Sequence, residues 1–423
     1  MKHLINILLL SVLLSGCTKK QNYDYPHYSI SLSADPESRH ISVSGSWDIP
    51  VEDETKSLEF HLHRQLRIDE LDINGSKAFK LTDEPGDIRY MPEAIKYTLT
   101  TDTPLKKSTV LNFKYSGEIT EWPEWSPSVI GEKWTELGLY FPWYPYNNRY
   151  SPFTYKVDVN AGPGYKTFVM GEEIKKEQFS SYETVGPTND IIICASQDIK
   201  TISKKIDTYN FTLAYTTLSN LLIDSLTTDV KDILTLYNKW FPEGNNTICL
   251  VESMREKGGA YARMGGMYLT GLDQEGYFKS RQSYTRYLGH EISHLWWYRA
   301  NTNTWEDWLN EGFAEYTALM VLRELYGQDC FEERIADKRK KSEGTDPVWQ
   351  YNRNGKDAYT ILYSKAPLLL YDLEKRIGKD AFMELLRTML ETKVSSTAEF
   401  LTALENQQGS TVRDWFLSGL KEL

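Results

Sequence analysis

From residue 27 to about residue 200, apolar side chains recur at every second position. The runs ISVSGSWDI (41–49), LEFHLHRQLRI (58–68), KYTLTT (96–101) and YKVDVNA (155–161) alternate in this way, with Gly, Pro, Asp and Asn between them. Alternation puts one face of each strand into a core, and the turn residues between runs predict an antiparallel β domain. Beyond residue 200 the period changes. Within 211–241, Leu221, Leu222, Leu226, Val230, Ile233, Leu234 and Leu236 recur at steps of three and four, which predicts a helix over that span. TICLVES (247–253) reads as a strand, and further helices are expected over 280–299, 305–326, 358–377 and 380–390. The pattern therefore predicts an α+β chain: a β domain over 27–200 and a mainly helical domain over 201–423, with the boundary near 197–204.

The N-terminus breaks both patterns. Residues 4–14, LINILLLSVLL, are almost continuously apolar, with Lys2 before them and Ser15-Gly16-Cys17 after. A charged start, a short apolar core and a small-residue exit describe an export signal, and the run is too short to span a bilayer. LSGC resembles a bacterial lipobox. That implies removal of residues 1–16, a lipid on Cys17 and a polar tether over 17–26 that holds the exported chain at the cell envelope, on its periplasmic or surface face. An ordinary signal peptide is the alternative.

Composition narrows the partners. The formal net charge is −11, which disfavours nucleic acid because phosphate binding needs clustered Lys and Arg. Cys194, Cys249 and Cys330 are far apart with no C-x-x-C spacing, so neither a cysteine zinc site nor a disulfide is expected. His61 and His63 share one face of a predicted strand, but with no third ligand beside them a structural or exposed role is expected. The aromatic stretch LYFPWYPYNNRY (139–150) is expected to pack rather than to bind.

The candidate chemistry lies in LGHEISHLWW (288–297). Of seven histidines, only His290 and His294 follow residue 63. On a helix, positions i and i+4 share a face, so both imidazoles can reach one zinc ion while Glu291 lies beside it to polarise a bound water. The next predicted helix contains WLNEGFAEY (308–316), and a helix-turn-helix can bring Glu311 back to the pair. Two His and one Glu leave a fourth position open, as a catalytic zinc requires. Glu315, one turn further on, either orients a ligand histidine or is a solvated acid.

HEISHLWW and WLNEGFAEY together resemble the gluzincin metallopeptidases of the aminopeptidase N family, with a slightly short connection of sixteen residues between His294 and Glu311. The resemblance implies a thermolysin-like catalytic domain after the β domain, one zinc ion, a peptide substrate, and no large helical domain after residue 420. YSKAPLLLYDLE (363–374) resembles the family segment whose tyrosine stabilises the oxyanion, which implies that role for Tyr363. GGMYLTG (265–271) resembles the family's G-x-M-E-N edge strand, which implies that Gly265, Gly266 and Met267 pair with substrate backbone. Tyr268 and Leu269 replace the Glu and Asn, so the family's anchor for a free α-amine is missing. Glu132 and Glu136 are candidates to replace it. The expected activity is zinc-dependent peptide hydrolysis of the aminopeptidase kind. The alternatives are an endopeptidase or a peptidase for substrates without a free amine, and a lipid-anchored binding protein that keeps zinc without turnover.

Overall fold

A computed structural model of the chain describes residues 25–88, 90–122, 126, 128–176, 179–242, 247–256, 260–263 and 265–422. The expected export signal, Cys17 and most of the expected tether lie outside the described residues. Among the described residues, no helix is long and apolar enough to cross a membrane.

Among the described residues, thirteen strands make up the first half. They are β1 His27–Asp35, β2 His40–Pro50, β3 Ser57–His63, β4 Arg67–Ile73, β5 Lys80–Pro85, β6 Ala94–Thr100 and β7 Ser108–Glu118. After them come β8 Thr135–Leu137, β9 Thr154–Asn160, β10 Lys166–Val169, β11 Glu172–Lys175, β12 Ser180–Glu183 and β13 Ile193–Ser196. The large sheet runs β11-β12-β9-β1-β2-β7-β4, and two three-stranded sheets, β3-β6-β5 and β10-β13-β8, accompany it. Period-two patterning is visible in β1, where Tyr28, Ile30, Leu32 and Ala34 are buried. All pairings in these sheets are antiparallel except β1 with β9, which is parallel.

The aromatic stretch packs as expected. Trp143 and Tyr144 are fully buried, and Tyr28 donates to the Pro145 carbonyl. His61 and His63 are buried structural residues, bonded to Asp87 and to the Glu121 carbonyl, each at 2.9 Å.

The second half opens with β14 Lys200–Ile206 and β15 Tyr209–Tyr215, followed by α1 Asn220–Trp240, β16 Thr247–Glu252, β17 Tyr261–Arg263 and β18 Gly266–Leu269. Helices then follow one another: α2 Gln274–Lys279, α3 Arg281–Ser293, α4 Trp308–Tyr326, α5 Gln328–Ser342, α6 Ala358–Thr360, α7 Ala366–Ile377, α8 Lys379–Glu391, α9 Thr397–Gln408 and α10 Ser410–Lys421.

Two expectations need correction. The helix expected from residue 211 begins at Asn220, because Tyr209, Phe211 and Leu213 alternate inward and β15 pairs in parallel with β16. Ser219 caps the real helix by accepting from the Leu222 N–H. The helix expected over 280–299 stops at Ser293, and the chain then turns. Helix α5 was not anticipated: QDCFEERIADKRKKS buries only Cys330, Phe331, Ile335 and Lys338, too few apolar positions to set a period.

One core spans Tyr28 to Ile193 and a second spans Ile206 to Leu420. A small cluster that includes Trp134, Phe168, Cys194, Cys249 and Tyr268 joins the halves. Cys194, Cys249 and Cys330 are buried free thiols.

Candidate metal centre and cleft

Helix α3 brings His290 and Glu291 into its last turn, and His294 caps it with φ −64° and ψ −5°. Because that cap keeps helical geometry, the two imidazoles stay on one side, with ring centres 5.0 Å apart and planes perpendicular. Glu311 stands in the first turn of α4. Gly289 lets α3 close on α4, and Gly312 lets α4 close on α7. A Cβ on Gly289 would lie 3.4 Å from that of Ala318, and one on Gly312 only 2.9 Å from that of Ala366 in α7. The connection from His294 to Glu311 is held by Asn310, which bonds both the N–H and the carbonyl of Ala300 at 3.0 Å.

The Nε2 atoms of His290 and His294 lie 3.2 and 3.8 Å from Glu311 Oε2, and one ligand atom from each of the three residues lies within 4.8 Å of the others. That carboxylate oxygen is buried without a hydrogen-bond partner. Two imidazole nitrogens and an unsatisfied carboxylate oxygen turned to one point fit a zinc ion with an open position. The far ring nitrogens suit the same purpose. His294 Nδ1 lies 2.8 Å from the Trp297 carbonyl, to which it donates, leaving Nε2 free as an acceptor. His290 Nδ1 lies 3.2 Å from Glu315 Oε2.

Glu315 is therefore no solvated acid. It is fully buried, paired with Arg286 at 2.6 Å and with Lys338.

The charge balance is lopsided. Burial alone would push the His290 imidazole down, but Glu311, Glu315 and Glu291 outweigh it and raise it to about 10. Burial likewise favours a neutral Glu311, yet His294 and His290 hold it at about 2. For Glu291 burial dominates and lifts the carboxyl above the ordinary range, against the pull of both histidines. Burial and the nearby Glu311 and Glu291 keep the Tyr363 phenol protonated. Its ring lies 5.4 Å from that of His290 and stacks on Tyr359.

The expected substrate strand is not where the motif reading put it. The sheet order is β14-β15-β16-β18-β17, so Gly266 and Met267 in β18 are flanked by β16 and β17, and Gly265 is buried just before them. Both sides of β18 are already paired, which corrects the assignment of Gly265, Gly266 and Met267 to substrate binding. Among the described residues, β17 is the edge strand on this side of the sheet. Tyr268 points into the joining core, 1% exposed and stacked on Tyr261.

Glu136 does not replace the amine anchor either. It is fully buried, bonded to Trp134, Ser253 and Tyr261 and paired with Arg255 at 3.0 Å. Glu132 is exposed. The edge strand offers a cation instead: Arg263 pairs with buried Asp190 at 3.1 Å, lies over Tyr140 and Tyr261, and is near enough to Glu291 to lower its pKa.

Residues 269–418 match the Peptidase family M1 domain. That stretch contains the two-His, one-Glu donor set, and the protein is a zinc metallopeptidase. The whole described fold also resembles solved structures. A two-domain M1 zinc metallopeptidase mutant bound to L-tryptophan shares 17% identity at a TM-score of 0.72, over 95% of each chain. An M1 zinc metallopeptidase mutant from Deinococcus radiodurans, bound to a Tyr-Ser-Ala substrate, shares 17% at 0.70 over the same fractions. Leukotriene A4 hydrolase from Saccharomyces cerevisiae shares 18% at 0.68, over 93% of this chain and 66% of that one. These likenesses establish the two-part architecture. No curated protein matches the sequence.

Sequence reasoning missed Arg286, Arg263 and Lys338. Arg286 had a signal, standing one turn before His290 on the same face; the other two reach the site only through tertiary contacts.

Proposed function

We propose that the protein cuts peptide bonds next to a free amino terminus, with His290, His294 and Glu311 holding one zinc ion. The observation that carries this reading is the convergence of those three donors beside a buried carboxyl, Glu291, and a buried phenol, Tyr363. Bound zinc supplies Lewis acidity, polarising a carbonyl and lowering the pKa of water to about 7. Glu291, its proton affinity raised by burial, takes the proton of the attacking water and passes it to the leaving nitrogen. Tyr363, held protonated, donates to the oxygen that gains charge on the other side of the scissile carbon. The edge strand β17 offers backbone groups to an extended peptide.

Relatives bound to a single amino acid and to a tripeptide support the amino-terminal reading. Glu291→Gln should keep its zinc and lose turnover by about 100- to 10,000-fold. A mutant of unchanged activity removes Glu291 from the role.

A second reading, a peptidase for substrates without a free amine, is favoured by Glu136 being engaged by four partners and by the cation on the edge strand. One peptide series in free-amine and N-acetylated form separates the two: hydrolysis confined to free amines rejects the second. We also propose a cell-envelope location through a lipid on Cys17. Cys17→Ser should move the protein from the membrane fraction to the soluble fraction and abolish labelling by fatty acid.

A further inference from the structure

Tyr363 stands in a short π-helical turn, Ile361–Lys365, where the Ala366 N–H reaches back five residues to the Ile361 carbonyl. Such turns widen the helix locally and occur disproportionately at functional sites. In α-helical register the Tyr363 carbonyl would accept from residue 367, which is proline and has no N–H. A different element supplies a donor. Lys338, on α5, donates from Nζ to the Tyr363 carbonyl at 2.6 Å, and the same ammonium is bonded to Glu315. The lysine is 8% exposed, an unusual place for an ammonium unless it is paired. Glu315 in turn faces His290 Nδ1 at 3.2 Å. A continuous chain of polar contacts therefore runs from the imidazole of one zinc-ligand candidate to the backbone of the oxyanion donor, and Lys338 is its link.

We propose that Lys338 is a positioning residue: it anchors the backbone of the Pro367-interrupted turn so that the Tyr363 phenol stays aimed across the cleft at the developing oxyanion. The proposal rests on Tyr363 being the oxyanion donor. Lys338 touches neither substrate nor metal in this role. Its effect passes through the position of one hydroxyl, where displacement of about 1 Å is enough to matter. Because that hydroxyl acts on the transition state, the loss falls on kcat and not on substrate affinity.

The test uses the zinc-loaded full chain and four proteins: wild type, Lys338→Met, Tyr363→Phe and the double variant. Lys338→Met is expected to lower kcat by about 10- to 100-fold with KM within about threefold and zinc content unchanged. In the double variant the two losses should not multiply, leaving it within about threefold of Tyr363→Phe alone. Should Lys338→Met fail to fold, Lys338→Arg carries the same test, since it keeps a cation on Glu315 while moving the donor off the Tyr363 carbonyl. Losses that multiply, or a fall in zinc content that accounts for the lost activity, overturn the proposal and leave Tyr363 in place. A fully active Tyr363→Phe overturns the assignment of the oxyanion donor and the proposal with it.

Discussion

Two pairs of histidines lie in the two halves of this protein. His61 and His63 on β3 are buried, like His290, but their neighbours are few and already matched. Asp87 faces one ring and a backbone carbonyl the other, and burial pulls His63 down to about 4. Around His290 there are three carboxylates, and they drive the imidazole the other way, to about 10. Burial is common to both regions and cannot be what marks a metal site. The difference is converging negative charge: Glu311 turns a buried oxygen to both imidazoles, 3.2 and 3.8 Å from their Nε2 atoms, and such a site demands a cation, whether proton or metal.

Removing that charge should have the largest effect. Glu311→Gln keeps the shape and is expected to weaken zinc binding by more than about 100-fold in a chelator competition. Glu315→Gln, which leaves the three donors intact, should cost about 10- to 100-fold in the same assay. The contrast fails if the two are equal.

Proton linkage follows from the same charges. In the metal-free protein His290 carries a proton at neutral pH because its pKa is raised, so zinc must displace it. Apparent zinc affinity should rise with pH until that proton is gone, near pH 10. Calorimetry in buffers of different ionisation heat reads the released proton directly, and its absence contradicts the assignment of charge.

The smallest effects test the β-domain side of the comparison and the helix packing. His63→Leu should leave zinc content unchanged and lower stability by about 1–3 kcal/mol in denaturant titration, because the Glu121 carbonyl loses its donor. Gly312→Ala, which sets a Cβ 2.9 Å from that of Ala366, should cost about as much through strain between α4 and α7.

What could be read from the sequence, and what could not, follows the range of the interactions. His290, His294 and Glu311 were readable because i, i+4 geometry and one helix-turn-helix bring them together. Tyr363 was readable only through resemblance, since nothing local sets it apart from 27 other tyrosines. The strand at 211–215 was absorbed into a helix because its alternation spans too few residues to outweigh the leucines that follow. Gly265, Gly266 and Met267 were misassigned for a tertiary reason: which strand is left at the edge depends on the pairing of its neighbours, and β17 pairs along the outer side of β18. Glu136 seemed available until its partners Trp134, Ser253, Tyr261 and Arg255 closed around it. Lys338 was out of reach because a polar helix carries it.

The most direct measurement is stepwise zinc titration of the metal-free full chain, with peptide hydrolysis followed at each step. Activity that rises in proportion to zinc and levels off at one equivalent per chain, with Glu291→Gln binding the same equivalent without turnover, is the predicted result. Full hydrolysis by the metal-free chain, or a bound equivalent that the Glu311→Gln variant retains undiminished, would contradict a single zinc site built from His290, His294 and Glu311.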